Sequence, residues 1–264
     1  MKILPAMLAA VAVGCFLIPN AALAGSGFRI AGGYGYLSYG QWNGLVDYDN
    51  TTAFPSHGVV GTARKIHWAP EFSGELLHSF SPRTAAGLGL GVVFSKAGFR
   101  LQDQGANEHF VHRILAVPIT GTMYFRFPDR LPFVTPYLAA GIAVNYARIH
   151  FENGITPAPQ DSLLRQADLA GWRVGFQGGA GFEFPVTEAV SIDFGVHGRF
   201  AEVSGFEGTA VYYNGGTSSV FLAHLVTGEV TIFEPQRTEF RDRFQEGTVD
   251  FSGVVLTLAL KVTL

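Results

Sequence analysis

Hydrophobic residues along this chain recur with a period of two. From Gly171 to Phe184, Trp172, Val174, Phe176, Gly178, Ala180, Phe182 and Phe184 alternate with Arg173, Gly175, Gln177, Gly179, Gly181 and Glu183. Alternation of this kind predicts a strand whose two faces meet different surroundings. The next segment repeats the plan, with Val190, Ile192, Phe194, Val196, Gly198 and Phe200 opposed to Ser191, Asp193, Gly195, His197 and Arg199. At the C-terminal end, Val254, Leu256, Leu258, Leu260, Val262 and Leu264 oppose Gly253, Val255, Thr257, Ala259, Lys261 and Thr263. Further strands are predicted at about 28–42, 65–78, 84–100, 111–127 and 134–151, which makes eight candidates. In 111–127 the apolar set is Leu115, Val117, Ile119, Met123 and Phe125; in 65–78 it is Ile66, Trp68, Phe72 and Leu76, against Glu71, Ser73 and Glu75.

The links between candidates alternate in length. Short ones at Ser79–Arg83, Pro128–Pro132 and Pro185–Ala189 take turns with long ones at Asn43–Arg64, Leu101–Phe110, Glu152–Leu169 and Val203–Thr248. Short turns at one rim and long loops at the other form the layout of a transmembrane barrel. No apolar run after residue 24 is long enough for a spanning helix. An unpaired backbone N–H or C=O costs several kcal/mol in hydrocarbon, so strands cross a bilayer only as a closed sheet. The expectation is an all-β, antiparallel, up-and-down transmembrane β-barrel of eight strands. Thr209–Tyr213 and Val220–Phe233, around the turn signal Asn214-Gly215-Gly216, form either an external hairpin or two more spanning strands, making ten. Pro70, Pro118 and Pro136 lack a ladder donor and are expected at rims or bulges.

Residues 1–24 read as a cleaved signal peptide, with Lys2, the apolar stretch Ile3–Ile18 and Ala22-Leu23-Ala24 before Gly25. Alternative parses are a lipid-modified Cys15 and an uncleaved anchor helix. The barrel domain is then 25–264. Cys15 is the one cysteine, so no internal disulfide is available. Glycine, at 33 of 264 residues, weighs against a helical protein. A net charge of −3 gives no basic surplus for a phosphate backbone, which argues against nucleic acid as a partner.

In a barrel of eight strands the interior is filled by side chains. The face opposite the apolar one would carry Glu71, Glu75, Arg126, Arg173, Glu183, Asp193, His197 and Arg199, a lumen network in which opposite charges pair and plug the bore. Gly87, Gly89 and Gly91 share one strand face and read as small inward residues; no helix follows them to make a phosphate loop. His109 and His112 read as a solvated loop pair, with no third ligand for a metal. His197 has no nucleophile placed beside it, so no catalytic residue, metal site or cofactor is expected. Tyr34, Tyr36, Trp68, Tyr124, Phe125, Phe127 and Tyr137 cluster near strand ends, as interfacial girdles do.

The stretch Gly175–Phe200, GFQGGAGFEFPVTEAVSIDFGVHGRF, resembles the strand, tight turn and strand of the small outer-membrane β-barrel proteins, the OmpA-like and opacity-protein-like group. Thr135-Pro136-Tyr137 with Leu138-Ala139-Ala140-Gly141, and the alternating final strand, are similar to the same group. The resemblance implies a bacterial outer-membrane location, contact with outer-membrane lipid and lipopolysaccharide, and delivery by periplasmic chaperones and the barrel assembly machinery. Leu264 stands where that group usually ends in an aromatic residue. The function expected is structural or surface-interactive, carried by external loops. The alternatives are a narrow pore or small-solute channel and a barrel-embedded lipid-modifying enzyme.

Overall fold

The computed structural model describes residues 25–48, 50–51, 62–103, 106–127, 133–156, 164–225, 230–233 and 244–264. The expected signal peptide with Cys15, and the link Pro128–Pro132, lie outside the described residues. Eight strands form the wall: β1 (Ser26–Leu37), β2 (Trp68–Ser79), β3 (Thr84–Asp103), β4 (Ala106–Arg126), β5 (Thr135–Thr156), β6 (Leu164–Pro185), β7 (Val190–Phe200) and, last in the chain, β14 (Gly253–Thr263). Each pairs antiparallel with its neighbour, and the ring closes through β7 to β14 and β14 to β1, from Gly27↔Thr263 to Leu37↔Gly253. A closed ring leaves no strand edge bare in lipid.

The short rim is held by local bonds. Thr187 Oγ1 accepts from the amides of Ala189 and Val190, and Ser81 Oγ accepts from Arg83 and Thr84. At the opposite rim β7 continues as β8 (Glu202–Val203) and β9 (Glu207–Tyr212). β9 turns at Gly215, with φ of 80°, into β10 (Thr217–Leu225). β10 also pairs with β11 (Val230–Phe233) and β12 (Phe244–Glu246), and β13 (Val249–Asp250) pairs with β8. None of β8 to β13 enters the ring, so the barrel has eight strands and not ten. Two of the expected loops are mostly strand: β3 and β4 pair as far as Asp103↔Ala106, and β5 and β6 as far as Glu152↔Gln166.

The alternation of faces is constant, but which face is apolar changes along the barrel. In the lower part the apolar set points outward: Phe176 is 60% exposed, Phe194 49% and Leu258 53%. Higher up the phase reverses. On β5 the outward run Ile142, Val144, Tyr146 gives way to inward Ala147 and Ile149, with Arg148 and His150 now outside. On β6 Ala167 and Leu169 are buried inside while Asp168 faces out. Apolar outside and polar inside suits lipid; apolar inside and polar outside suits water. The reversal therefore marks the edge of the hydrocarbon, with β3 to β6 and β9 to β10 standing above it.

That upper chamber holds an apolar core. Helix α1 (Gly40–Tyr48) enters it after Tyr39, whose φ of 47° turns the chain inward. Trp42, Leu37, Ile66, Ile149, Leu169, Phe206 and Phe251 fill it. Ile66, expected on the lipid face with Trp68, lies in this core because it precedes β2 and follows α1 inward.

The prolines divide. Pro136 is at the start of β5, and Pro70 sits where β2 leaves its ladder with β3 at Glu71↔Val93. Pro118 is in mid-strand, contrary to the expectation of a rim. Pairing of β3 with β4 runs to Leu90↔Ile119 and resumes in the same register at Val93↔Ala116, so the lost N–H interrupts two positions without shifting the strands.

Candidate functional site

The candidate site is the polar lumen within the lipid-facing part of the barrel. Every charged group in it sits on a strand position whose neighbours at ±1 face lipid, so alternation alone turns it inward. Nearest the short-turn rim, Lys261 Nζ is 2.5 Å from Glu183 Oε1, and Arg126 Nε is 3.6 Å from Glu183 Oε2. Arg126 also donates to Ser79 Oγ at 3.3 Å.

The next level centres on Arg29, which is buried. Its Nη2 is 3.2 Å from Asp193 Oδ1, and its Nη1 is 3.7 Å from Glu75 Oε2. Two tyrosine hydroxyls complete the carboxylates: Tyr137 donates to Asp193 at 2.7 Å and Tyr124 to Glu75 at 2.6 Å. Both rings are buried in the lumen, not set in the interfacial girdle expected of them, because their strand positions share the inward face with these carboxylates. Higher still, Arg199 Nη2 donates to Glu71 Oε1 at 2.6 Å. Four cations, Arg29, Arg126, Arg199 and Lys261, thus meet four carboxylates, Glu71, Glu75, Glu183 and Asp193. Such balance is what allows charge to remain in a low-dielectric interior, where removing one partner costs far more than the pair contributes.

Glycines make the room. A Cβ at Gly87 would fall on the Glu75 carboxylate, and one at Gly89 would come within 2.6 Å of Thr120 Oγ1. Gly87, Gly89 and Gly91 therefore face inward at close approaches. A cavity of about 60 Å³ lies between the Arg29 and Arg199 levels, bordered by Glu71, Glu75, Thr122, Gln177 and His197. Among the atoms around it, Glu71 Oε2, Glu75 Oε1 and His197 Nε2 have no hydrogen-bond partner within the protein. That volume holds a few water molecules, which such atoms normally bind.

Of the eight residues singled out in the sequence, Glu71, Glu75, Arg126, Glu183, Asp193 and Arg199 meet in these ion pairs. His197 borders the cavity. Arg173 stands apart, above the network, donating to Ser204 Oγ at 2.8 Å. Arg29 and Lys261 take part without having been singled out. Lys261 is readable from the alternation of the last strand, and Arg29 from its place between Phe28 and Ile30.

His109 and His112 are not in a loop but on β4. His109 is exposed. His112 turns into the upper chamber, 4.9 Å from the Trp42 ring and 5.1 Å from Phe151. Burial holds its pKa down to about 4. On the outer face above the apolar band, Asp168 accepts from Arg148 at 2.8 Å and contacts His150 Nδ1 at 3.1 Å. Partial burial works against its charge, but the bonds from His150, Arg148 and Gln166 prevail and hold the carboxyl below its usual range.

A ring closed edge to edge, apolar where it meets lipid and charge-filled within, defines the class: a transmembrane β-barrel. No family model matches the chain, and no curated protein matches it. Among solved structures it is similar to the outer membrane protein OprG from Pseudomonas aeruginosa, at 14% identity, with 90% of this chain and 95% of that chain covered and a TM-score of 0.46. It is also similar to a major outer membrane protein from Thermus thermophilus, at 12% identity, with 90% and 98% covered and a TM-score of 0.46.

Proposed function

We propose that this protein is a sealed outer-membrane barrel whose role is structural or surface-interactive, exercised through the strands and hairpin that stand above the lipid. The observation that carries this reading is that the bore is filled twice. The paired charges occupy it within the membrane, and α1 with the apolar core occupies it above. A path for solute would have to displace both. Kinship with the OmpA-like and opacity-protein-like group belongs to the same reading, as does the absence of catalysis: among the described residues His197 Nε2 has no hydrogen-bond partner, and so no serine hydroxyl to activate.

The test is conductance of the purified, refolded protein in planar bilayers. The expected result is a closed membrane; steady single-channel steps would overturn the sealed reading and favour a narrow pore, for which the polar cavity at Gln177 and Thr122 is the supporting feature. Release of acyl chains from lipopolysaccharide, lost on His197→Ala, would establish the enzymatic alternative.

A further inference from the structure

The apolar bands of three consecutive strands end in a cation. On β3 the outward residues Leu88, Leu90, Val92 and Phe94 are followed by Lys96; on β4 the run ends after Leu115 at Arg113; on β5 it ends after Tyr146 at Arg148. On β2, next in the wall, the outward residue at this end is Trp68, stacked on Tyr34 with ring centroids 5.5 Å apart. The cations are therefore confined to one sector, beside an interfacial aromatic.

Register makes this sector unfavourable by itself. Lys96 is directly opposite Arg113, both on the outward face. Like charges directly opposite destabilise a sheet. Two of the cations have local anions, Arg113 with Glu152 at 3.4 Å and Arg148 with Asp168 at 2.8 Å. Among the described residues Lys96 has no anionic partner. An external anion between Lys96 and Arg113 would relieve the opposition.

We propose that Lys96 and Arg113, with Arg148 beside them, bind the phosphate of an outer-leaflet lipid of the lipid A type, whose acyl chains lie on Phe94, Leu115 and Val144 below. This rests on the outer-membrane reading above and names the partner of that surface. A lipid is favoured over free phosphate because the cations stand at the top of a continuous apolar strip, Phe94 being 45% and Val144 37% exposed. Exposed cations at a membrane surface contribute about 1 kcal/mol each to binding of anionic lipid, roughly fivefold apiece.

The test uses the full chain refolded in neutral detergent, with diphosphoryl lipid A, the same lipid dephosphorylated, and inorganic phosphate as probes. Bound lipid is read by native mass spectrometry and by the thermal midpoint of the heat-modifiable band. Diphosphoryl lipid A is expected to bind and raise the midpoint, the dephosphorylated form to bind more weakly, and millimolar phosphate not to displace it. Lys96→Gln with Arg113→Gln should weaken binding about 25-fold. Lys96→Glu should raise the midpoint without lipid, by placing an anion opposite Arg113, and should abolish the gain on adding lipid. Equal binding of both lipids, displacement by phosphate, or unchanged binding in the double variant would overturn the proposal. A variant that still migrates as a closed barrel while binding unchanged sinks this inference alone. A wild-type chain with no heat-modifiable form sinks the barrel reading itself.

Discussion

At the scale of single residues, the two faces of a strand make opposite demands on the same amino acid. Gly87 and Gly121 lie on paired strands, one facing the lumen and the other the lipid. A methyl group at Gly87 would strike the Glu75 side chain and dislodge a carboxylate held by Tyr124 and Arg29. Overpacking of this kind costs about 1–3 kcal/mol. A methyl group at Gly121 meets no atom within 4 Å and adds apolar surface on the lipid side. Gly87→Ala should therefore lower the urea midpoint of unfolding, followed in detergent micelles, while Gly121→Ala leaves it unchanged or raises it. Equal effects would mean that the lumen is looser than the Glu75 contacts imply.

At the scale of elements, α1 and the strand tops behave as a soluble core set on a membrane wall. Trp42 is buried among Ile149, Leu169 and Phe251, and its truncation to alanine should cost about 3–5 kcal/mol. His112 beside it titrates near 4 when folded and near 6.5 when unfolded. Above pH 6.5 both states are neutral and nothing is lost; as pH falls from 6.5 to 4 the unfolded segment takes up the proton first, so stability declines, by up to about 3 kcal/mol. Trp42 fluorescence should report loosening of the chamber across that window, and His112→Leu should flatten the profile. Much of this arrangement is legible in the sequence, but only up to the water line. All eight wall strands show their lipid-facing alternation, and the charged partners follow from it. The strand tops of β5 and β6 read as a loop at 152–169 because the apolar phase slips by one between Tyr146 and Ala147, and between Leu169 and Trp172. A slip of phase reads as a break in a strand, whereas here the strand runs on and its surroundings change. α1 escapes a sequence reading for another reason: Gly40–Tyr48 is only nine residues long and has two glycines, too short to be stable alone, and it is held by the chamber that buries its Trp42 and Val46.

At the scale of the whole molecule, two closures lie in series along one bore, and their chemistry differs. The charge network is strong only while complete: Asp193→Asn leaves the buried Arg29 guanidinium with the more distant Glu75, at a cost of about 3–5 kcal/mol. Replacing Arg29 and Asp193 together would strand Glu75, whose cation is Arg29, so it is Arg29→Met with Asp193→Leu and Glu75→Gln that removes every unpaired charge of this level and should recover most of that loss, a difference that a mutant cycle on unfolding free energy would measure. Neither change touches Trp42 or the core above it, so a barrel emptied of the Arg29 level should still fail to conduct. The apolar chamber alone is likewise insufficient, since Trp42→Ala leaves Lys261, Glu183 and Arg126 joined below. Steady conductance is expected only when Trp42→Ala is combined with alanine at every paired charge of the bore, Arg29, Glu75, Asp193, Arg126, Glu183, Lys261, Glu71 and Arg199. In planar bilayers the single-level variants should match wild type and the combined variant should not. Conductance from the charge variants alone would mean that the chamber above them already admits ions.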